Sequence, residues 1–165
     1  MAKVILKLGA DISTDDIYPG RYMATVLPSE TPAFCFADRT EFNARLRAKA
    51  FEPGSILLAG ENFGCGSSRE QAASAIQGHG LVVVAKSVSR IFLQNAINLG
   101  LRIILCPAVE AEEGHELVLE GNLLANRATG RGFPVQPLPP ARQAIIDAGG
   151  LIPYTRRRLQ EEAKP

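Results

Sequence analysis

The feature that most restricts the fold is an alternation of short apolar runs and helical stripes between residues 56 and 106. Ile56–Ala59, Leu81–Ala85 and Leu101–Cys106 have the length and composition of buried strands. Between them, two segments carry apolar residues at helical spacing and end at glycine. Strand, helix, strand, helix, strand is the pattern of parallel β-α-β units, so this region predicts an α/β fold.

The flanking segments predict a second, antiparallel layer. Residues 3–8 alternate as an opening strand, and residues 115–136 contain short apolar stretches separated by turn residues. Short helices are predicted at 40–50 and 141–148. Since the sequence shows neither an internal repeat nor a long linker, we expect one domain over residues 1–165.

The composition argues against nucleic acid and membranes as partners. The 165 residues are 46% hydrophobic and 21% charged, and the net charge of +1 lacks the excess of Lys and Arg that nucleic acid binding needs. The basic run 156–158 is interpreted as part of a solvated C-terminal tail, expected to be flexible from about residue 155. No segment reaches the ~18–20 apolar residues of a membrane helix, and residues 1–8 lack the features of a secretory signal.

The cysteines favour a reducing compartment. They are odd in number and widely spaced, which resembles neither a disulfide framework nor a metal-binding C-x-x-C pair. We therefore predict a cytoplasmic chain that holds no metal through Cys35, Cys65 and Cys106.

The segment that suggests chemistry is Gly60-Glu-Asn-Phe-Gly-Cys-Gly-Ser-Ser-Arg-Glu-Gln71, between a predicted strand and a predicted helix. Its glycines permit positive φ angles and close approach of a ligand to the backbone. The helix is predicted to begin near Ser67 or Ser68, where unpaired N–H groups favour an anion. The two hydroxyls and the guanidinium of Arg69 add donors suited to a carboxylate.

A structural role is the alternative for Ser67, because Ser67-x-x-Glu70 fits a capping box. Arg69 favours a ligand, since a cation in the first turn of a helix is unfavourable unless an anion lies there. Gly64 and Gly66 support the turn, but the segment lacks the third glycine of a dinucleotide fingerprint and the Gly-Lys-Ser/Thr of a phosphate loop.

This segment strongly resembles the signature of the small subunits of 3-isopropylmalate dehydratase and homoaconitase, which are similar to the swivelling C-terminal domain of aconitase. The resemblance implies a single three-layer β/β/α swivelling domain, like domain 4 of aconitase. Relatives usually carry His where this chain has Gln71, and we expect that difference to tune the site. Further matches follow in order at Asp11–Ile17, Pro19–Tyr22, Ala85–Ser87, Arg90–Phe92, Asn95 and Asn98–Gly100.

The resemblance also implies a division of labour between two chains of a hydro-lyase. A large subunit, and not this chain, would hold a 4Fe-4S cluster. Carried over to this sequence, Ser67 is the expected general base that removes the proton beside a carboxylate. Ser68 and Arg69 are expected to bind that carboxylate, and Asp15 matches an active-site aspartate that we expect to orient Arg69.

The turn Tyr22-Met-Ala-Thr25 resembles the loop that contacts the variable part of the substrate, so Tyr22, Met23, Ala24 and Thr25 are candidate substrate-binding residues. Relatives that act on tricarboxylic acids place Arg where Ala24 stands. Met23 and Ala24 therefore favour an apolar group, although Met23 could also serve only local packing. The implied reaction is the isomerisation of 2- and 3-isopropylmalate in leucine biosynthesis. The alternatives are the small subunit of homoaconitase or 2,3-dimethylmalate dehydratase, or a non-catalytic carboxylate-binding regulatory module.

Overall fold

The strands form one curled sheet in the computed structural model, which describes residues 2–163. They are β1 (Ala2–Lys7), β2 (Ile56–Ala59), β3 (Val82–Ala85), β4 (Ile103–Leu105), β5 (Glu116–Glu120), β6 (Leu123–Asn126) and β7 (Arg131–Pro134). Their order in the sheet is β4-β3-β2-β1-β5-β6-β7. Strands β1 to β4 pair in parallel, whereas β5 pairs with β1 in antiparallel fashion and continues into β6 and β7 as a meander. The predicted α/β class is confirmed.

The helices cover the connections. They are α1 (Thr14–Ile17), α2 (Thr40–Arg47), α3 (Glu70–Gly78), α4 (Arg90–Leu99), α5 (Pro140–Asp147) and α6 (Leu151–Glu162). Helices α3 and α4 are the crossovers that make β2, β3 and β4 parallel. The short α1 begins with a capping box between Ser13 and Asp16. None of the helices within residues 2–163 is long and apolar enough to cross a membrane.

Two of these helices were not predicted from the sequence. Helix α1 lies in a polar segment for which no helix was predicted, because Asp15 and Asp16 are typical of loops as well as of first helical turns. Helix α6 includes the segment predicted as a tail, and it is helical as far as Glu162. Its exposed arginines are those of the basic run, and Arg158 pairs with Glu162 one turn later.

Two apolar clusters lie on opposite faces of the parallel strands, because side chains alternate along a strand. Leu57 and Val83 face one way and pack against α3 and α4. Ile56, Leu58 and Val84 face the other way and pack against residues of β5, β6 and β7. The antiparallel strands thus cover one face of the parallel strands and the helices cover the other, which confirms the predicted β/β/α layering.

The parallel strands also place the chemistry-bearing loops together. The carboxyl ends of β1, β2 and β3 meet at one edge of the sheet, as in other parallel sheets. Residues 9–13, 60–69 and 86–89 leave the sheet there.

Candidate active site

The loop of residues 60–69, called the reaction loop because it carries the residues predicted to act on the substrate, follows β2 and is held between the two neighbouring loops. On one flank, the Gly64 N–H donates to the carbonyl oxygen of Ile12 at 2.7 Å. On the other, the Ser89 N–H donates to the Phe63 carbonyl at 2.9 Å, and the Ser89 hydroxyl donates to the Gly64 carbonyl at 2.6 Å. The loop is therefore hydrogen-bonded to a neighbouring segment on each side, as a central strand of a sheet is, and these bonds fix its position.

Gly64 is required in this loop for two reasons. Its φ of +74° lies in the left-handed region, and a Cβ at this position would lie 2.6 Å from the Cβ of Phe92. Gly66 also has a positive φ, +94°, but a Cβ there would be 3.5 Å from the Oγ1 of Thr14, an ordinary contact. Gly64 therefore fixes both the path of the chain and its packing on α4, while Gly66 fixes the path alone.

Helix α3 begins at Glu70, and the predicted start at Ser67 or Ser68 was wrong. Arg69 is the N-cap residue, with extended backbone angles of −61° and 111°, and no side chain caps the helix. The left-handed turn at Gly66 and the extended Arg69 keep the serines out of the helix. The capping box of Ser67 with Glu70 is therefore not formed, which removes the structural alternative for Ser67.

Both serines of the reaction loop are exposed. The Oγ of Ser67 lies 3.3 Å from the Oγ1 of Thr14. The backbone carbonyl of Ser68 accepts a hydrogen bond from the Nδ2 of Asn95 at 3.2 Å, which ties the loop to α4. Because the loop is fixed through its backbone, the two hydroxyls are left open to a ligand.

Arg69 is anchored from the side of α1. Its Nη1 forms an ion pair with the Oδ1 of Asp15 and donates to the Tyr18 carbonyl at 3.2 Å. The same carboxylate oxygen accepts the N–H of Gly20 at 2.8 Å. The hydrogen bond from Arg69, and then that from Gly20, holds the pKa of Asp15 below its usual range, so this carboxylate stays charged and keeps the guanidinium in place.

The 22–25 turn has an anchored first residue and an exposed middle. The Tyr22 ring stacks on Phe34 with centroids 4.2 Å apart, and the Tyr22 carbonyl accepts the hydroxyl of Tyr18 at 3.1 Å. Met23 is 37% exposed, and Ala24 is exposed as well. Tyr22 thus serves the packing of the turn, and the next two side chains face the surface.

The turn is connected to Arg69 through the segment that carries Asp15. Gly20, two residues before Tyr22, passes so close that a Cβ there would lie 3.1 Å from the Nη2 of Arg69. Thr25 is half-buried, and its N–H donates to the Tyr22 carbonyl at 2.9 Å. The turn therefore begins at the edge of the site that Arg69 defines.

The thiols of the chain are separated by the sheet. Cys35 is buried in the cluster on the helix face, Cys106 is buried in the cluster on the opposite face, and Cys65 lies in the reaction loop. Burial raises the pKa of the Cys35 thiol, which disfavours the thiolate that binds metals. Over residues 2–163, no three His, Cys, Asp or Glu side chains are grouped to hold a metal ion. The three thiols do not fit an iron–sulfur cluster.

The structure adds Thr14, Ser89 and Asn95 to the predicted site residues. All three support the reaction loop from neighbouring segments. The sequence signal for Thr14 was its position directly before Asp15, in a segment already quoted for the family resemblance. Asn95 was quoted for the resemblance without a role, and Ser89 lies between two of the matched stretches and had no signal of its own.

Comparisons with known proteins show the family to which this chain belongs. Residues 37–107, which include the reaction loop, match the family model of the aconitase C-terminal domain. The 3-isopropylmalate dehydratase small subunit of Thermodesulfovibrio yellowstonii is 40% identical over 164 residues, which are 96% of this chain and 95% of that protein. The isopropylmalate/citramalate isomerase small subunit of Methanocaldococcus jannaschii is 39% identical over 163 residues, 95% of this chain and 94% of that protein.

A solved structure matches as well. That of 3-isopropylmalate dehydratase from Methanocaldococcus jannaschii has a TM-score of 0.86 and 34% identity, and the match covers 98% of this chain and 96% of that one. The fold is thus that of an aconitase-type C-terminal domain. The chain belongs to the family of 3-isopropylmalate dehydratase small subunits. The resemblance predicted from the sequence is confirmed.

Proposed function

We propose that this chain is the small subunit of a hydro-lyase that interconverts 2- and 3-isopropylmalate by dehydration and rehydration, the isomerisation step of leucine biosynthesis. The observation that carries the proposal is a pair of exposed hydroxyls, Ser67 and Ser68, followed directly by the half-buried Arg69, whose guanidinium is fixed by Asp15. A fixed cation and two exposed hydroxyls on one short loop supply donors suited to a small hydroxy acid.

The chemistry assigns a task to each of these residues. A proton beside a carboxylate is a very weak acid, so its removal needs a positioned base and stabilisation of the charge that develops. The Ser67 oxygen, as an alkoxide, takes this proton. The electron pair of the broken C–H bond forms the alkene as hydroxide leaves the neighbouring carbon. The hydroxide and the proton that Ser67 has taken together make up the released water, which returns Ser67 to the alkoxide and is added back in the rehydration step. Ser68 and Arg69 hold the carboxylate and stabilise its charge during the step.

We place the 4Fe-4S cluster on a separate large subunit. The thiols of this chain are distributed over both faces of the sheet and the reaction loop, where they do not fit such a cluster. This chain's share of the reaction is therefore proton transfer and carboxylate binding. Its three free thiols suit the reducing cytoplasm, where we place the assembly.

The surface around the serines supports docking of that large subunit. Three apolar residues on segments near the site, Val26, Leu27 and Ile91, have exposures of 68%, 55% and 51%. Ile91 lies one helical turn before Asn95, which binds the reaction loop. Val26 lines a groove together with Gln71 at the start of α3. Exposed apolar residues next to an open polar site favour coverage by another protein, which would also exclude water from the reaction.

The turn 22–25 supports an apolar substituent on the substrate. Met23 and Ala24 are exposed and carry no charge that would pair with a third carboxylate. The nearby Arg21 is already paired with Asp38 and stacks over the Tyr22 ring. These contacts favour isopropylmalate over a homoaconitate-type acid.

Reconstitution tests the proposal. The purified chain is assayed alone and after mixing with its cluster-bearing large subunit, and the alkene intermediate is followed by its ultraviolet absorbance. We expect no turnover by the chain alone and interconversion of the isopropylmalates by the mixture. Turnover by the chain alone would contradict the division of labour. Carboxylate binding without turnover in the mixture would favour the regulatory module.

A further inference from the structure

Serine is a very weak acid, so the base proposed for this site requires a group that stabilises the Ser67 alkoxide. We infer that Thr14 is a positioning residue that donates a hydrogen bond to the Ser67 oxygen and stabilises its charged form. The inference rests on the proposed function of Ser67 as the base, and it adds a residue from a different segment of the chain.

The geometry brings the two hydroxyls together at a fixed place. Thr14 Oγ1 lies 3.3 Å from Ser67 Oγ, although 53 residues separate them in the sequence. The Thr14 backbone is attached to the same loop, because its N–H donates to the Cys65 carbonyl at 2.8 Å. Ser13 and Cys65 also form a parallel bridge beside it. The distance between the hydroxyls is thus set by backbone pairing.

Burial determines which hydroxyl donates. Thr14 is 2% exposed, so its proton has little access to water, and leaving a buried donor unpaired is costly. Ser67 is exposed and can turn its own proton towards solvent or a ligand. The favoured arrangement has Thr14 donating and Ser67 accepting. This bond persists when Ser67 loses its proton and becomes stronger with the negative charge.

Threonine suits this role better than a flexible donor would. A branched Cβ restricts χ1, so the hydroxyl is held in one direction before the charge develops. Donors that are oriented in advance toward a developing charge need no reorganisation during the reaction. When the Ser67 alkoxide takes the substrate proton, the Thr14 proton stays on Thr14, and only the strength of the bond changes.

The fold contains a matched pair that serves as a control. Thr31 is 1% exposed, and its Oγ1 lies 2.9 Å from the Oγ of Ser74, which is also buried. This pair joins the 3₁₀ turn Thr31–Phe34 to α3, and Thr31 Oγ1 also donates to the Pro28 carbonyl at 3.3 Å. Like Thr14, Thr31 is a buried threonine whose hydroxyl meets a serine, but its serine is not exposed. Thr31→Val therefore measures the structural cost of losing a buried threonine hydroxyl, separately from any effect on Ser67.

The test compares Thr14→Val, Thr14→Ser and Thr31→Val in the assembled enzyme. Each variant is mixed with the large subunit, and kcat, KM, their pH dependence and thermal unfolding are measured. We expect Thr14→Val to lower kcat about 10²–10³-fold, the range for losing one donor to a developing anion, with KM little changed. Thr14→Ser, which keeps the hydroxyl, should retain most of the rate, and Thr31→Val should lose stability but keep its turnover.

The pH profile separates this role from a structural one. Without the donor the Ser67 pKa rises, so the remaining rate of Thr14→Val should increase with pH where the wild-type rate is level. An unchanged profile, or equal losses in Thr14→Val and Thr14→Ser, would overturn the inference. If Ser67→Ala is inactive while Thr14→Val turns over normally, only this inference fails. Near-normal turnover by Ser67→Ala would instead refute the proposed function of Ser67.

Discussion

The reaction loop ends at Arg69, and the 22–25 turn begins near the Arg69 guanidinium, but the two regions are built differently. The reaction loop is bonded on both flanks, and its Gly64 is packed against Phe92. The turn is anchored at Tyr22, after which Met23 and Ala24 lie at the surface. One region is therefore fixed by the fold, whereas the other presents its side chains freely.

The fixed loop is suited to carry out the reaction, and the exposed turn is suited to select the substrate. Proton removal needs atoms held within a fraction of an ångström, so its residues belong on a loop that the sheet and helices constrain. The part of a substrate that varies can be matched by exposed side chains, which change without cost to packing. Substitutions in the two regions should therefore affect different quantities.

The largest effect on stability is expected in the reaction loop. Gly64→Ala adds a Cβ against Phe92 to a backbone with positive φ, and it should lower the free energy of unfolding by about 2–5 kcal/mol. Gly121→Ala is the matched control, because Gly121 has a φ of +59° with open space around it. There we expect only the backbone cost of about 1–2 kcal/mol. Equal losses in denaturant unfolding of the two variants would contradict the proposed packing constraint.

A smaller effect should follow from freeing Arg69. Asp15→Asn removes the charge that anchors the guanidinium, and we expect kcat/KM of the assembled enzyme to fall about 10²-fold, as for a displaced substrate-positioning group. Asp38→Asn breaks the exposed pair with Arg21 and should change kcat/KM little. Similar kinetics for the two variants would show that Asp15 is an ordinary surface partner.

A substitution in the 22–25 turn should change the substrate preference and leave the free energy of unfolding almost unchanged. Ala24→Arg should raise the preference for a homoaconitate-type acid over isopropylmalate about tenfold, through a charged pair with the extra carboxylate. Because Ala24 is exposed, the free energy of unfolding should change by less than about 0.5 kcal/mol. The ratio of kcat/KM values for the two acids measures the effect, and an unchanged ratio would count against the assignment of this turn.

The smallest expected effect is a shift in the pKa of Asp15. The Arg69 guanidinium keeps the pKa of Asp15 below its usual range, so Arg69→Gln should raise it while the pKa of Asp38, lowered by Arg21, stays in place. Carboxyl NMR titration of both residues measures this. Since the folded pKa is depressed, the stabilisation from Asp15 is complete above its unfolded pKa and is lost as the pH falls through the folded one. An Asp15 pKa that does not move in Arg69→Gln would contradict the pairing.

Much of the fold could be predicted because local patterns determined it. Strand β2 has the predicted bounds, Ile56–Ala59, since a short apolar run between turn residues has few other solutions. The start of α3 could not be predicted. Ser67 and Glu70 fit a capping box by spacing, but the left-handed Gly66 and the extended Arg69 decide the path, and spacing does not encode these angles.

The candidate site also has residues that could be predicted from the sequence and residues that could not. The hydroxyls and Arg69 are contiguous in the sequence, so their composition and the resemblance identified them together. Thr14 was missed because its contact with Ser67 depends on how β1 and β2 pair and where their loops meet. Contacts of this kind are formed by the tertiary fold and have no signature in a single sequence.

The most direct test of the central claim is turnover by Ser67→Ala, assembled with the wild-type large subunit. Ser67 is exposed, and the reaction loop is held through the backbone of Phe63, Gly64 and Cys65. The variant should therefore fold and assemble, and its structural cost should be limited to the hydrogen bond with Thr14. Loss of the base should lower turnover by about 10²–10⁴-fold or more. Near-normal interconversion of the isopropylmalates by this variant would contradict the claim that Ser67 removes the proton.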